Sequence, residues 1–139
     1  MSALTIYQGL EERFRTVPGL QNIILGEPTA LHELPCLYSA FYRFERSQHG
    51  QLTGMRYYFV HRLLLRWQDF PQAEMQLITM LNLIPAAIDA DQKLGGRLPD
   101  GLATITDGTS GFITISETKY RIVDYTSNTL EKQPYKSGI

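Results

Sequence analysis

The chain has one cysteine, Cys36, among its 139 residues. A lone thiol closes no internal disulfide, which suits a reducing compartment. Charge of one sign is also scarce. Thirteen Lys and Arg against fourteen Asp and Glu leave a formal net charge of -1, so no global field draws the chain to nucleic acid or acidic lipid. Long apolar runs are missing. No segment nears the roughly 20 apolar residues of a membrane span, and the opening MSALTIYQGLEERF lacks the basic start and unbroken apolar stretch of a signal peptide. There is no Walker motif, no G-x-G-x-x-G and no G-x-S-x-G. His32, His49 and His61 fall in a loop, a hairpin turn and a strand, without metal-ligand spacing and without a second cysteine to complete a zinc set. No metal, no cofactor and no catalytic residue is therefore expected. His61 reads as a satisfied core histidine and Cys36 as a small buried hydrophobe.

What remains is pattern. Tyr7, Leu10, Phe14 and Val17 lie at helical spacing behind a capping Ser2, and Pro18-Gly19 ends that helix. Leu20 to Leu25 reads as a short strand, and Gly26 to Pro35 as a loop. Two long alternating runs follow. In Cys36–Arg46 the even positions Cys36, Tyr38, Ala40, Tyr42 and Phe44 form an apolar face. In Met55–Trp67 the odd positions do. The polar stretch Ser47–Gly54 between them makes a hairpin. A second helix starts near Gln68 or Asp69, with Pro71 in its first turn. It carries an apolar stripe of Leu77, Leu81, Ile84 and Ile88, widened by Met80 and Ala87, and Pro85 inside it should kink or split it. Leu102–Thr106, Gly111–Ser116 and Lys119–Leu130 read as a meander with turns at Asp107-Gly108 and near Glu117-Thr118. These elements predict an α+β fold: a single mixed, mostly antiparallel sheet with a long β-hairpin, and two main helices packed on one face. Residues 1–131 form the domain, and residues 132–139 a polar C-terminal tail.

The stretch AIDADQKLGG, Ala87 to Gly96, decides against a bound ion. As a calcium loop it would place Lys93 at an acidic position, Leu94 at the obligatory glycine and Asp100 at the bidentate glutamate. As a phosphate cradle it has its glycines after a helix and not before one. It reads as a helix stop, with Gly95 and Gly96 left-handed and Leu94 tucked under the helix end. The hairpin arginines carry more. Arg43, Arg56, Arg62 and Arg66 share the non-core faces with Phe41, Tyr58, Val60 and Leu64. Mixed arginine, aromatic and aliphatic surface is the composition of a protein interface. Arg43, Arg46, His49, Arg56, Tyr58 and Arg62 are the candidate subunit or partner interface.

The succession of an amphipathic helix ending in VPGL, a short strand and loop to Leu34-Pro35, a long hairpin, a helix introduced by DFPQAE and closed by AIDADQKLGG, and strands containing TKYRIVDY resembles the tail terminator (tail completion) proteins of long-tailed bacteriophages, over residues 3–131. Asp91, Leu94, Gly95 and Gly96 are its sharpest match. The resemblance implies no enzyme. It implies a structural virion protein, made in the host cytoplasm, that forms a hexameric ring at the head-proximal end of the tail. Such a ring ends polymerisation of the tail tube and offers the surface for head-tail joining. The implied partners are further copies of the chain, the tail tube protein and the head connector. No membrane and no specific nucleic acid is implied, although DNA passes through such a lumen. Three rivals stay open: another neck component that binds the head connector, such as a head-completion or stopper protein; a small enzyme using His32, Glu33, Asp89 and Asp91; and a nucleic-acid module using the arginine-bearing hairpin.

Overall fold

The computed structural model describes residues 3–26, 33–49, 52–67, 70–99 and 101–134. The expected caps Ser2, Gln68 and Asp69, together with His32 and Asp100, lie outside them. In chain order the elements are α1 (Ala3–Phe14), β1 (Asn22–Leu25), β2 (Cys36–His49), β3 (Leu52–Arg66), α2 (Phe70–Met80), α3 (Leu83–Asp89), β4 (Leu102–Ile115) and β5 (Thr118–Pro134). One five-stranded sheet takes the order β1-β2-β3-β5-β4. Only β1–β2 is parallel; β2–β3, β3–β5 and β4–β5 are antiparallel. The fold is α+β with a mixed sheet. The main core lies between the helices and one sheet face. Ile6, Leu10 and Phe14 of α1 and Leu77, Ile84 and Ile88 of the later helices meet Leu37, Phe59, Leu63 and Val123. Each such side chain contributes about 1.5–3 kcal/mol by leaving water.

Pro85 does split the second helix. It has no N–H for the carbonyl four residues back, Leu81, and the helix breaks between Met80 and Leu83. That carbonyl is satisfied from the sheet: the Tyr125 hydroxyl donates to Leu81 O at 2.7 Å. Burial pushes the Tyr125 phenol up to about 12, which keeps it a donor. Tyr125→Phe should cost about 1–2 kcal/mol in urea unfolding, because a part-buried carbonyl loses its donor. In a Pro85→Ala background the loss should shrink, since the substituted residue can then supply the N–H. Equal losses in both backgrounds would refute this account of the break.

The odd positions of β3 face the core as the alternation predicts: Phe59, His61, Leu63 and Leu65 are buried. The even face expected for β2 is wrong. Leu37 and Ser39 face the helices, whereas Tyr38 joins a second cluster with Leu64, Tyr120 and Ile122 on the opposite side. Four consecutive residues, Cys36 to Ser39, are buried, so alternation carries no inside-outside signal there. Beyond them, Phe41 pairs with Phe59 and Arg43 with Tyr58, leaving Tyr42 as a bulge that reverses the parity. Ala40, Tyr42 and Phe44 are exposed. The turn is also shorter than Ser47–Gly54, since the ladder continues to His49↔Leu52.

Asp107-Gly108 is not a turn. β4 runs through it as one strand, with both residues paired to β5 (Asp107↔Thr126, Gly108↔Tyr125) and a bulge at Thr106. Gly108 is there for space: a Cβ would lie 3.3 Å from Cδ1 of the Tyr125 ring. The true β4–β5 turn is Ser116-Glu117, both with positive φ (49° and 67°). Side chains are strained in that region by about 1–2 kcal/mol per residue. Replacing the pair with Asn-Gly should therefore raise the unfolding free energy by about 1 kcal/mol, read as a higher urea midpoint at unchanged slope. β5 itself extends to Pro134, into the stretch assigned to the tail; residues 135–139 lie outside the described ones.

The helix stop at AIDADQKLGG needs a correction in detail. α3 ends at Asp89 with Ala90 as a right-handed cap, and the left-handed residues Leu94, Gly95 and Gly96 form a separate turn after it. Asp91 organises that turn by accepting the Gly95 N–H at 2.8 Å. The bonds Leu98 N–H to Lys93 O and Arg97 N–H to Leu94 O close it. Leu94 is 1% exposed and packs into the main core.

Candidate interaction surfaces

The sheet face away from the helices gathers four of the expected interface residues. β3 places Arg56, Tyr58 and Arg62 there by alternation, and the β2 bulge turns Arg43 to the same side, opposite Tyr58. Their contacts are mutual. Arg62 donates to Asp124 through Nε (2.6 Å) and Nη2 (2.9 Å), and through Nη1 to the Tyr38 hydroxyl at 3.1 Å. This bidentate pair, chiefly through its hydrogen bonds to Asp124, holds the guanidinium firmly protonated. Arg43 pairs with Glu45 at 2.6 Å and lies 4.1 Å over the Tyr58 ring, while the Tyr58 hydroxyl donates to Glu45 at 3.1 Å. The Glu45 carboxyl is held below its usual range by its hydrogen bonds to Arg43 and Tyr58. Arg56 donates to neutral Asn128 at 2.8 Å.

Arg46 does not join them. Arg46 falls in register with Met55 and Glu131, on the helix side of the sheet but beyond the helices, and is exposed. His49 has its backbone in β2, and its side chain lies outside the described part. Arg62 and Arg43 each spend their charge on an acid of the same chain. The face is therefore an ordered arginine-aromatic surface rather than a set of unpaired cations. That suits a shaped protein partner better than a phosphate backbone, which would have to displace Asp124 and Glu45.

Other apolar surface is exposed, of which sequence reasoning placed Phe41 alone off the core face. Phe41, Tyr42 and Phe44 are 49%, 61% and 58% exposed along the outer edge of β2. Leu102 and Phe112 stand out on β4, and Met75 and Ile78 on α2. Leu81, expected in the core stripe, is 36% exposed because the helix break turns it outward. The α2 signal was present in sequence: its apolar residues occupy more of the helix circumference than one core face needs.

His61 and Cys36 are buried within the fold. His61 is fully buried between two serines, with Ser39 Oγ 2.6 Å from Nδ1 and Ser127 Oγ 2.7 Å from Nε2. All three side chains are closed to solvent, and the Phe14 ring packs steeply tilted against the imidazole with 4.8 Å between ring centroids. Burial lowers the imidazole to about 3, so it stays neutral. Burial also pushes the Cys36 thiol up to about 11, away from thiolate chemistry. Of the acidic pair in the loop, Asp91 serves the turn and Asp89 is exposed. Glu33 is exposed far along the chain. Among the described residues no three His, Cys, Asp or Glu side chains come together as metal ligands, and no helix is long and apolar enough to cross a membrane. No protein-family model matches the chain, and no curated protein matches it.

Proposed function

We propose that this chain is a structural subunit of a bacteriophage tail. In this reading it forms a ring on the head-proximal end of the tail tube, ends tube polymerisation and presents the head-tail joining surface. The observation that carries the reading is the build of the sheet. Strands β2 and β3, of 14 and 15 residues, extend a hairpin whose face is arginine and aromatic, and among the described residues no strand lies outside β2 beyond Ser39. Strands averaging five or six residues suffice for a domain core, so strands this long serve something beyond it. Different surfaces on opposite sides of one subunit are what a ring of identical subunits requires. The order of elements, helix, short strand, long hairpin, helical segment and closing strands, follows the succession on which the resemblance rests, with the break at Pro85 as a departure from it.

Co-sedimentation tests this. Tail tubes assembled without a terminator should carry the protein in an amount set by the number of tubes and independent of their length. Binding that rises with tube length would mean a sheath-like or adventitious coat. Binding to isolated head connectors and not to tubes would move the protein to another place in the neck.

A further inference from the structure

The two edges of the sheet differ. On one side β4 is engaged. Ala103 N–H donates to Gln92 O at 2.8 Å, Gln92 Nε2 donates to Ala103 O at 3.3 Å, and the Gly111 carbonyl accepts from Arg121 Nη1 at 2.8 Å. On the other side β1 pairs with β2 only over Cys36–Ser39. From Ala40 to Ser47 every residue of β2 is exposed, Phe41, Tyr42 and Phe44 among them, and among the described residues no strand lies outside this stretch. Soluble domains usually blunt such an edge with lysine, proline or brevity. β2 is 14 residues long and has neither lysine nor proline; its charged residues are Arg43, Glu45 and Arg46.

We propose that two copies of this chain pair antiparallel along this edge of β2, about a two-fold axis through Phe44 and normal to the sheet. The register follows from face and charge. Such an axis leaves every residue on its own face, and opposed residues of an antiparallel pair share a face. From Arg43 to Ser47 the alternation is regular. Arg43 and Glu45 lie opposite Tyr58 and Arg56, and Phe44 and Arg46 opposite Tyr57 and Met55. The axis therefore passes through a residue and not between two. At Tyr42 or earlier it carries the second copy into β1. At Arg43, Glu45 or Arg46 it sets that charge against its own copy, which destabilises the pair. At Ser47 it runs out of strand at His49 and leaves Phe41 to Phe44 uncovered. At Phe44 it sets the ring against its copy and opposes Arg43 to Glu45 of the second copy, twice over. Arg43 already pairs with Glu45 of its own chain at 2.6 Å, so the four charges alternate in sign around the axis. Length agrees. β1 closes the edge at Ser39 and β2 ends at His49, which puts Phe44 at the middle of the free stretch. The pairing goes beyond the tail reading and does not rest on it. A joint between identical edges closes at two copies, so a ring would be built through other surfaces.

Charge reversal and cross-linking test the pairing. In analytical ultracentrifugation the parent chain should pass from monomer to dimer as its concentration rises. Glu45→Arg alone, or Arg43→Glu alone, opposes like charges at both contacts and should weaken the dimer by at least about tenfold. Arg43→Glu together with Glu45→Arg opposes unlike charges again and should restore it. Both positions are exposed, so the variants should fold. Under mild oxidation Phe44→Cys should give a covalent dimer and nothing larger. Arg46→Cys, exposed on the same face, should not. Its copy lies four residue steps away, about 14 Å along the strands, beyond the roughly 7 Å limit for a disulfide. The parent chain, whose Cys36 is buried, should stay uncrosslinked. A chain that is monomeric at high concentration and gives no Phe44→Cys dimer would overturn the pairing. So would a dimer indifferent to the single reversals, one that the double exchange does not restore, or one that cross-links as readily through Arg46→Cys.

Discussion

Gly101→Ala should lower the unfolding free energy by about 3 kcal/mol, the upper end of overpacking penalties. An alanine Cβ at this position would lie 1.7 Å from the Leu130 carbonyl oxygen and 2.8 Å from its carbon. The obstacle is backbone, so no rotamer change relieves it. Either β5 shifts or the start of β4 lifts away, and the Leu102↔Leu130 pairing is lost with it. Gly96→Ala separates this effect from ordinary glycine strain. Gly96 has φ +90° and nothing within 4 Å of an added Cβ, so its replacement should cost only about 1 kcal/mol in left-handed strain. Both are read from urea unfolding. A Gly101→Ala loss no larger than that of Gly96→Ala would contradict the close approach of β4 and β5.

Acid should destabilise the chain through His61, and His61→Ala should remove that sensitivity while costing about 4 kcal/mol at neutral pH by opening a core cavity and taking the imidazole partner from the buried Ser39 hydroxyl. The direction follows from proton binding. Folded, the imidazole is closed to solvent and stays neutral down to about 3. Unfolded, it takes a proton below about 6.5. Between those values the unfolded state binds more protons, so stability is fully present above about 6.5 and falls as pH drops, by about 1.4 kcal/mol per unit for this one group. Urea midpoints from pH 7 to pH 4.5 would show it. The slope of His61→Ala should be smaller than that of the parent by about this amount, and parallel slopes would mean that the imidazole is reached by water or protons in the folded chain.

The elements that were legible in sequence are those buried on one side. The Tyr7-Leu10-Phe14 spacing and the odd positions of β3 marked their core faces because the other faces are wet. Pro85 marked the helix break by simple loss of a donor. β2 was misread because its first four residues are buried on both faces and a bulge at Tyr42 then reverses the parity. Asp107-Gly108 looked like a turn because the pair carries turn chemistry. Its glycine instead clears room for a tyrosine ring on the neighbouring strand, a fact that exists only once β4 and β5 are paired. The candidate surface divides the same way. Arg56, Tyr58 and Arg62 could be placed on one face from β3 alone. Their partners Asn128, Asp124 and the Tyr38 hydroxyl lie 72, 62 and 24 residues away or across the sheet, at separations no local pattern encodes. The sheet edges were hidden as well, because which strand ends a sheet is a property of strand order.

Negative-stain electron microscopy of the purified chain, alone at high concentration and mixed with unterminated tail tubes, bears most directly on the proposed role. Closed rings, and density capping one end of each tube, are the expected images. A particle that stays monomeric while both tube ends remain bare would contradict the ring and the tail assignment together.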